Sequence, residues 1–220
     1  KLYKNKKIED IQKRNKKIII PATNLTNELP RIFKTDYQNN YKEHNQYNLS
    51  DIAVASCSAP TFFSTYRIKK PNEQVYEYFC DGGLFANNPS TCAIVEAIGV
   101  MGIQKENIKL LSIATENQRS TRGDNKIRSG LINWDGGKKL ITTTLKQTTE
   151  MHRYITEIIM NKNQLRIEPH TCISDIELDD ASKKSIQRLI LEGIDIANTC
   201  LKTDFISELF SKGEIIEQNA

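Results

Sequence analysis

The residues best able to do chemistry lie in one stretch, YEYFCDGGLFANNPST (76–91). An aromatic, apolar run ends on a single acid, Asp81. Two glycines follow, then a short apolar pair, two asparagines and a proline placed to open a helix. A carboxylate on such a turn can orient a base, act as a base itself or bind a cation. Gly82 and Gly83 permit backbone angles, and a close substrate approach, that side chains forbid. Asp-Gly is also among the commonest turn dipeptides, so these three residues alone read first as a plain turn.

The elements that must position Asp81 can be traced in order. KIIIPAT (17–23) is a β-branched run stopped by Pro21, and RIFKT (31–35) is a second strand beside it or continuing the same edge. The polar, asparagine-rich segment 36–50 reads as a loop. Ser50 or Asp51 can cap a helix through DIAVASCSA, which Pro60 then ends. VYEYFC (75–80) is the strand that delivers Asp81, and Asn88-Pro89 fits a cap followed by the first helical position of a buried helix that closes near Gly99 or Gly102. IKLLSIAT (108–115) reads as a fully buried strand of a parallel sheet. A long helix from about 137 to 160, a short strand at 164–169 and an amphipathic helix over 182–209, with Ile186, Leu189, Ile190 and Ile194 on its apolar side, complete the series. Alternation of this kind predicts an α/β layer fold, with chemistry at the carboxyl ends of the strands.

The flanks sharpen the reading. AVASCSAPTFFSTYRI precedes Asp81 by some twenty residues and LFANNPSTCAIVEA follows the glycines without a gap. Together with IIIPATNLTNELPRIFKT (18–35) and IELDDASKKSIQRLILEG (176–193), these segments resemble the patatin-like phospholipase family, in that family's order. The resemblance implies a three-layer αβα fold with a mostly parallel sheet, of which only the C-terminal portion is present. It divides the chain into a basic lead-in, residues 1–17, and the C-terminal part of a patatin-like domain, residues 18–215. It implies a lipid acyl hydrolase working through a Ser–Asp dyad, with Asp81 of the D-G-G motif as the acid. It also implies a phospholipid or other lipid ester as substrate and peripheral contact with a membrane, and it places Pro60, Phe62 and Phe63 near an acyl-chain cleft. As plain residues, these three read first as core.

One departure stands out: the sequence contains no G-x-S-x-G and no glycine-rich oxyanion loop. Ser56 and Ser58 lack flanking glycines, and Ser129 precedes Gly130 without the rest of a nucleophile elbow. A chain carrying the acid without the serine is expected to be inactive alone and to need the missing N-terminal half, in the same or another chain. The alternative is a non-catalytic remnant acting as a binding module, which would expose a sheet edge and an apolar face. Within the family, DGGLFANNPS most resembles bacterial members, among them phospholipases that respond to nucleotide second messengers and effectors secreted into host cells.

Bulk properties exclude several other classes. The 220 residues suffice for one substantial core, and 38% hydrophobic with 26% charged content describes a soluble globular chain. No apolar run approaches the roughly 18 residues of a membrane span, and the opening has no signal-peptide core. These features predict a cytoplasmic protein acting at membrane surfaces, or else an effector exported without a classical signal. The net charge of +4 is concentrated at the start, where residues 1–17 hold eight Lys or Arg against two acids. A solvated, partly helical lead-in accounts for that, and nothing indicates a nucleic-acid reader. Five cysteines at irregular spacing and three histidines in no motif predict free thiols, no metal and no cofactor. GLINWDGGK (130–138) glances at a P-loop, but its spacing is one residue too long and Lys139 stands where Ser or Thr should. Trp134 and the helix after it would pack, or cover the cleft.

Overall fold

Ile18 to Lys34 fold back on themselves because two β-prone runs flank the turn-prone NLTNE, where Glu28 takes a left-handed φ of 58°. Strands β1 (Ile19–Asn24) and β2 (Leu29–Lys34) pair antiparallel, from Ile19 opposite Lys34 to Asn24 opposite Leu29. These coordinates are a computed structural model that describes residues 3, 5–115, 137–169, 176 and 180–211. The chain divides into two units, Lys1–Ile103 with Asn125–Ile158, and Gln104–Asp124 with Ile159–Ala220.

In the first unit, helices α1 (Ile8–Gln12) and α2 (Leu49–Ser56) accompany a four-stranded sheet of order β2-β1-β4-β3. Strands β3 (Tyr66–Lys69) and β4 (Tyr76–Asp81) form an antiparallel pair, and β4 also pairs antiparallel with β1. The α/β class is as expected, while this sheet is antiparallel throughout; the parallel pairing is found in the second unit. Local connections explain the difference, since β1–β2 and β3–β4 are joined by short turns, and such turns permit only antiparallel neighbours.

The core gathers Ile8, Ala22, Phe33, Tyr47, Leu49, Ile52, Ala55, Ile68 and Phe79. Within the basic opening, α1 thus carries Ile8 fully inside. Phe33 meets Tyr47 edge-on at 5.1 Å and Phe79 at 5.4 Å, an arrangement aromatic quadrupoles favour. The cap of α2 is Asn48, ahead of the expected Ser50 or Asp51 by two or three residues. A bridge between Lys7 and Asn48, with Leu49 N–H donating to Lys6 O at 2.8 Å, holds the backbone extended there and lets the helix begin at once.

After β4 come a four-residue turn of helix, α3 (Gly83–Ala86), and then α4 (Ser90–Val95), which widens into a π-helical turn, Glu96–Val100. The cap position falls on Pro89, one residue later than the expected Asn88, whose Oδ1 accepts from Ser90 N–H at 3.1 Å just before the helix. Gly102, at φ +68°, follows the end of this run. Glu96, buried in the wide turn, accepts from Lys34 Nζ at 2.6 Å and from the Tyr37 hydroxyl. Lys34 Nζ also lies 4.1 Å from the centre of the Tyr41 ring. Most of helix α5 (Lys138–Met160) belongs to this unit.

The second unit contains β5 (Leu110–Ile113) and β6 (Gln164–Ile167), paired in parallel from Leu110 opposite Gln164 to Ile113 opposite Ile167. β5 is not fully buried: Ser112 is inside, but Ile113 is 69% exposed. Its only ladder partner among the described residues is β6. The expected single helix over 182–209 is two, α6 (Lys183–Cys200) and α7 (Asp204–Ser211). Thr203 donates to Cys200 O through both its amide, at 3.0 Å, and its hydroxyl, at 2.7 Å, which closes a turn between them. Ser182 caps α6 by accepting from Ser185 N–H, and Ile186, Leu189, Ile190 and Ile194 are exposed along it. Trp134 and most of the 130–138 segment lie outside the described residues.

Candidate functional site

Where β4 stops is decided by Pro21. Leu25 N–H donates to Tyr78 O at 2.8 Å, so the odd-numbered amides of β1 face β4. Pro21 is the odd position at which that amide is missing, and the β1–β4 ladder ends one residue earlier, at Ala22 opposite Asp81. The end of β4 bonds instead to the segment leaving α2, with Asp81 N–H donating to Ser58 O at 3.0 Å and Gly82 N–H to Ser56 O at 3.3 Å. Thr23 Oγ1 donates to Asp81 O at 2.9 Å. Three chain segments therefore converge on one residue.

Gly82 is required by contact, not by an unusual backbone angle. A Cβ there would sit 2.2 Å from the Pro21 carbonyl oxygen, which already accepts the Ser56 hydroxyl at 2.7 Å. A Cβ on Gly83 would meet Leu145 Cδ2 at 2.7 Å, and Asn87 Oδ1 and Asp81 Oδ1 at 2.9 Å each. Gly83 N–H donates to Asp81 Oδ1 at 2.6 Å. Burial raises the Asp81 carboxyl above its ordinary value, partly offset by that amide. The result is a half-buried carboxylate with one oxygen anchored and a strengthened affinity for a proton.

Around it, Ser58 Oγ donates to Val54 O at 2.7 Å and Ser56 Oγ to Pro21 O, so both hydroxyls are engaged with backbone. Cys57 lies between them, exposed as a residue, but partial desolvation of its thiol together with the Asp81 charge pushes it up, away from the nucleophilic thiolate. Pro60 and Phe62 are half-buried and Phe63 is 58% exposed, on the turn that follows α2. A cavity of about 400 Å³ lies near the start of α2, lined by Lys7, Tyr47, Asn48, Asp51, Lys70 and Asn72 among others; Pro60, Phe62, Phe63 and Asp81 are not on its walls. Among the described residues no group of three or more His, Cys, Asp or Glu could hold a metal, and no helix is long and apolar enough to cross a membrane.

The residues that sequence reasoning missed are on α5. Thr148, Thr149 and His152 reach the turn after Asp81, contacting Gly83, Asn87 and Phe85. The only sequence signal was a run of threonines and a histidine on a helix otherwise free to be polar.

The patatin-like phospholipase family model matches residues 3–94, which include α2, β4 and the whole Asp81 turn. Those residues are patatin-like. Over more of the chain, 83% of it is 29% identical to a cGAMP-activated phospholipase of Escherichia coli, covering 55% of that protein. A cGAMP-activated phospholipase of Vibrio cholerae is 28% identical over 82% of the chain and 54% of its own length. Patatin-like protein 3 of Arabidopsis thaliana is 26% identical over 80% of the chain and 47% of its own. The chain thus spans about half the length of the curated relatives it matches.

Proposed function

We propose that this chain contributes the acid of a Ser–Asp dyad to a lipid acyl hydrolase of the phospholipase A type. The observation that carries the reading is Asp81 itself: it ends β4 on a Gly-Gly turn, has one oxygen held by the Gly83 amide, and is made more basic by burial. A serine hydroxyl is a poor nucleophile until a neighbouring base removes its proton. Asp81 would take that proton as the serine oxygen bonds to the ester carbonyl carbon, and return it to the departing alcohol. A water, deprotonated in the same way, would then release the fatty acid. Backbone N–H donors would stabilise the oxyanion in both steps.

The G-x-S-x-G serine and a glycine-rich loop to supply those donors are not in this sequence, and the hydroxyls of Ser56 and Ser58 donate to backbone carbonyls. Hydrolysis therefore requires a segment carrying G-x-S-x-G, supplied by a longer chain or by a second one. Pro60, Phe62 and Phe63 would border the acyl chain, and the substrate would be a phospholipid ester met at a membrane surface. Activation by a cyclic dinucleotide is the corresponding proposal for control, drawn from what the bacterial relatives are named for.

The absence of that motif also favours a second reading, a non-catalytic patatin-like binding module. One assay separates them: release of fatty acid from phospholipid vesicles by the chain alone and by the chain supplied with a G-x-S-x-G-bearing segment. Hydrolysis in the second case only, abolished by Asp81→Ala, supports the dyad. No hydrolysis with any such segment supports the binding module.

A further inference from the structure

A helix leaves its last four carbonyls without intrahelical partners, and α3 is only four residues long. Two of its carbonyls, those of Gly83 and Phe85, are met from outside by α5. Thr148 Oγ1 lies 3.1 Å from Gly83 O, and 3.0 Å from Leu145 O on its own helix. His152 Nε2 lies 2.9 Å from Phe85 O; because a carbonyl can only accept, this nitrogen is the protonated one. His152 Nδ1 is buried with no hydrogen-bond partner among the described residues. Between these contacts, Asn87 Nδ2 donates to Thr149 Oγ1 at 2.8 Å, and Thr91 Oγ1 donates to His152 O at 3.2 Å. Residues 148, 149 and 152 share one face of α5. Gly83 is the common element: its carbonyl faces Thr148 while its amide donates to Asp81 Oδ1.

We propose that α5 is a clamp on the Asp81 turn, with Thr148 and His152 as positioning residues that keep the Gly83 amide on the Asp81 carboxylate. Neither residue hydrogen-bonds to Asp81; both act through the backbone of α3. The functional importance of the clamp rests on the reading of Asp81 as the dyad acid.

The test uses the full chain and two readouts that need no turnover, the carboxyl titration of Asp81 followed by carbon NMR and the exchange rate of the Gly83 amide. Thr148→Val and His152→Leu remove the donors at nearly constant volume. Each is expected to speed Gly83 exchange by roughly two- to tenfold, the range of one hydrogen bond's net worth. Each also moves the Asp81 titration to higher pH, because the amide that favours the carboxylate is held less firmly. Thr148→Ser and His152→Gln restore a donor at the same place and are expected to return both readouts to the parent values. Unchanged readouts in the Val and Leu variants, or Ser and Gln variants as altered as Val and Leu, would overturn the clamp. If His152→Leu fails to fold, the nearly isosteric Thr148→Val decides. Ester hydrolysis that survives Asp81→Asn would remove the dyad and leave these results standing.

Discussion

Asp81 Oδ1 and the Gly83 amide are 2.6 Å apart, across a residue, Gly82, that is pressed against the carbonyl of Pro21. The carboxylate is therefore aimed by the same close packing that ends its strand. A proline without an amide stops the ladder, a glycine without a side chain lets the turn lie against it, and the next glycine supplies the donor.

The first prediction concerns that packing. Gly82→Ala would place a Cβ 2.2 Å from backbone that is itself held in β1, so the strand end must move. A loss of about 1–3 kcal/mol is expected in urea denaturation, the usual range for overpacking. Gly83→Ala meets the flexible end of Leu145 as well as two side-chain oxygens, and should cost less. Equal midpoints for Gly82→Ala and the parent chain would contradict this account.

Asp81 should be held at a cost to stability. Burial raises its carboxyl above the ordinary aspartate value of 3.8, so the stability it contributes is fully present below that pH and is lost as pH rises through the folded value. Asp81→Asn keeps an oxygen for the Gly83 amide and removes the buried charge. The variant is expected to melt at or above the parent temperature at pH 7 while abolishing any dyad-dependent hydrolysis. A clear drop in melting temperature at pH 7 would count against it.

His44 predicts acid sensitivity of the opposite sign. Burial first, and the Arg31 and Lys34 charges after it, lower its pKa from 6.5 to about 4, while Nδ1 accepts from Lys34 N–H at 3.2 Å. Stability from the neutral ring is fully present above pH 6.5 and is lost as pH falls toward 4. The loss should reach roughly 3 kcal/mol, and His44→Phe should flatten that part of the profile. Denaturation midpoints measured between pH 7 and pH 4 for both chains would reveal it.

The Lys34–Glu96 pair ties the end of β2 to the wide turn after α4, with both side chains about nine-tenths buried. Glu96→Ala strands the lysine and should destabilise by about 3–5 kcal/mol. Replacing both residues, Lys34→Met with Glu96→Leu, should recover most of that loss, since an apolar pair carries no desolvation penalty. Additive losses in the double variant, read by the same denaturation series, would show that the pair does not act as a unit.

Much of this was legible in the chain. The aromatic, apolar run VYEYFC marked β4, Asn88-Pro89 marked the approach to α4, and the D-G-G turn with its flanks pointed to the patatin-like family. Less legible was the break in the last helix. Residues 201–203 contain neither proline nor glycine, and the turn is closed by Thr203 bonds to Cys200 that no pattern announces. β5 reads as buried because Leu and Ile are apolar, but burial depends on what is packed above a strand, and Ile113 is left open.

Residue type and order determined by themselves where the acid lies, that glycines surround it and that no G-x-S-x-G accompanies it. Those are properties of adjacent residues, which local chemistry constrains. Only the tertiary structure decided that Pro21 ends the ladder at Asp81, that the Ser56 and Ser58 hydroxyls are spent on backbone, and that α5 meets the carbonyls of the Asp81 turn. Apart from the local Ser58–Val54 bond, four positions long, the hydrogen bonds among these join residues 35 to 67 positions apart, and a hydrogen bond depends on distance in space, which spacing along a chain does not encode.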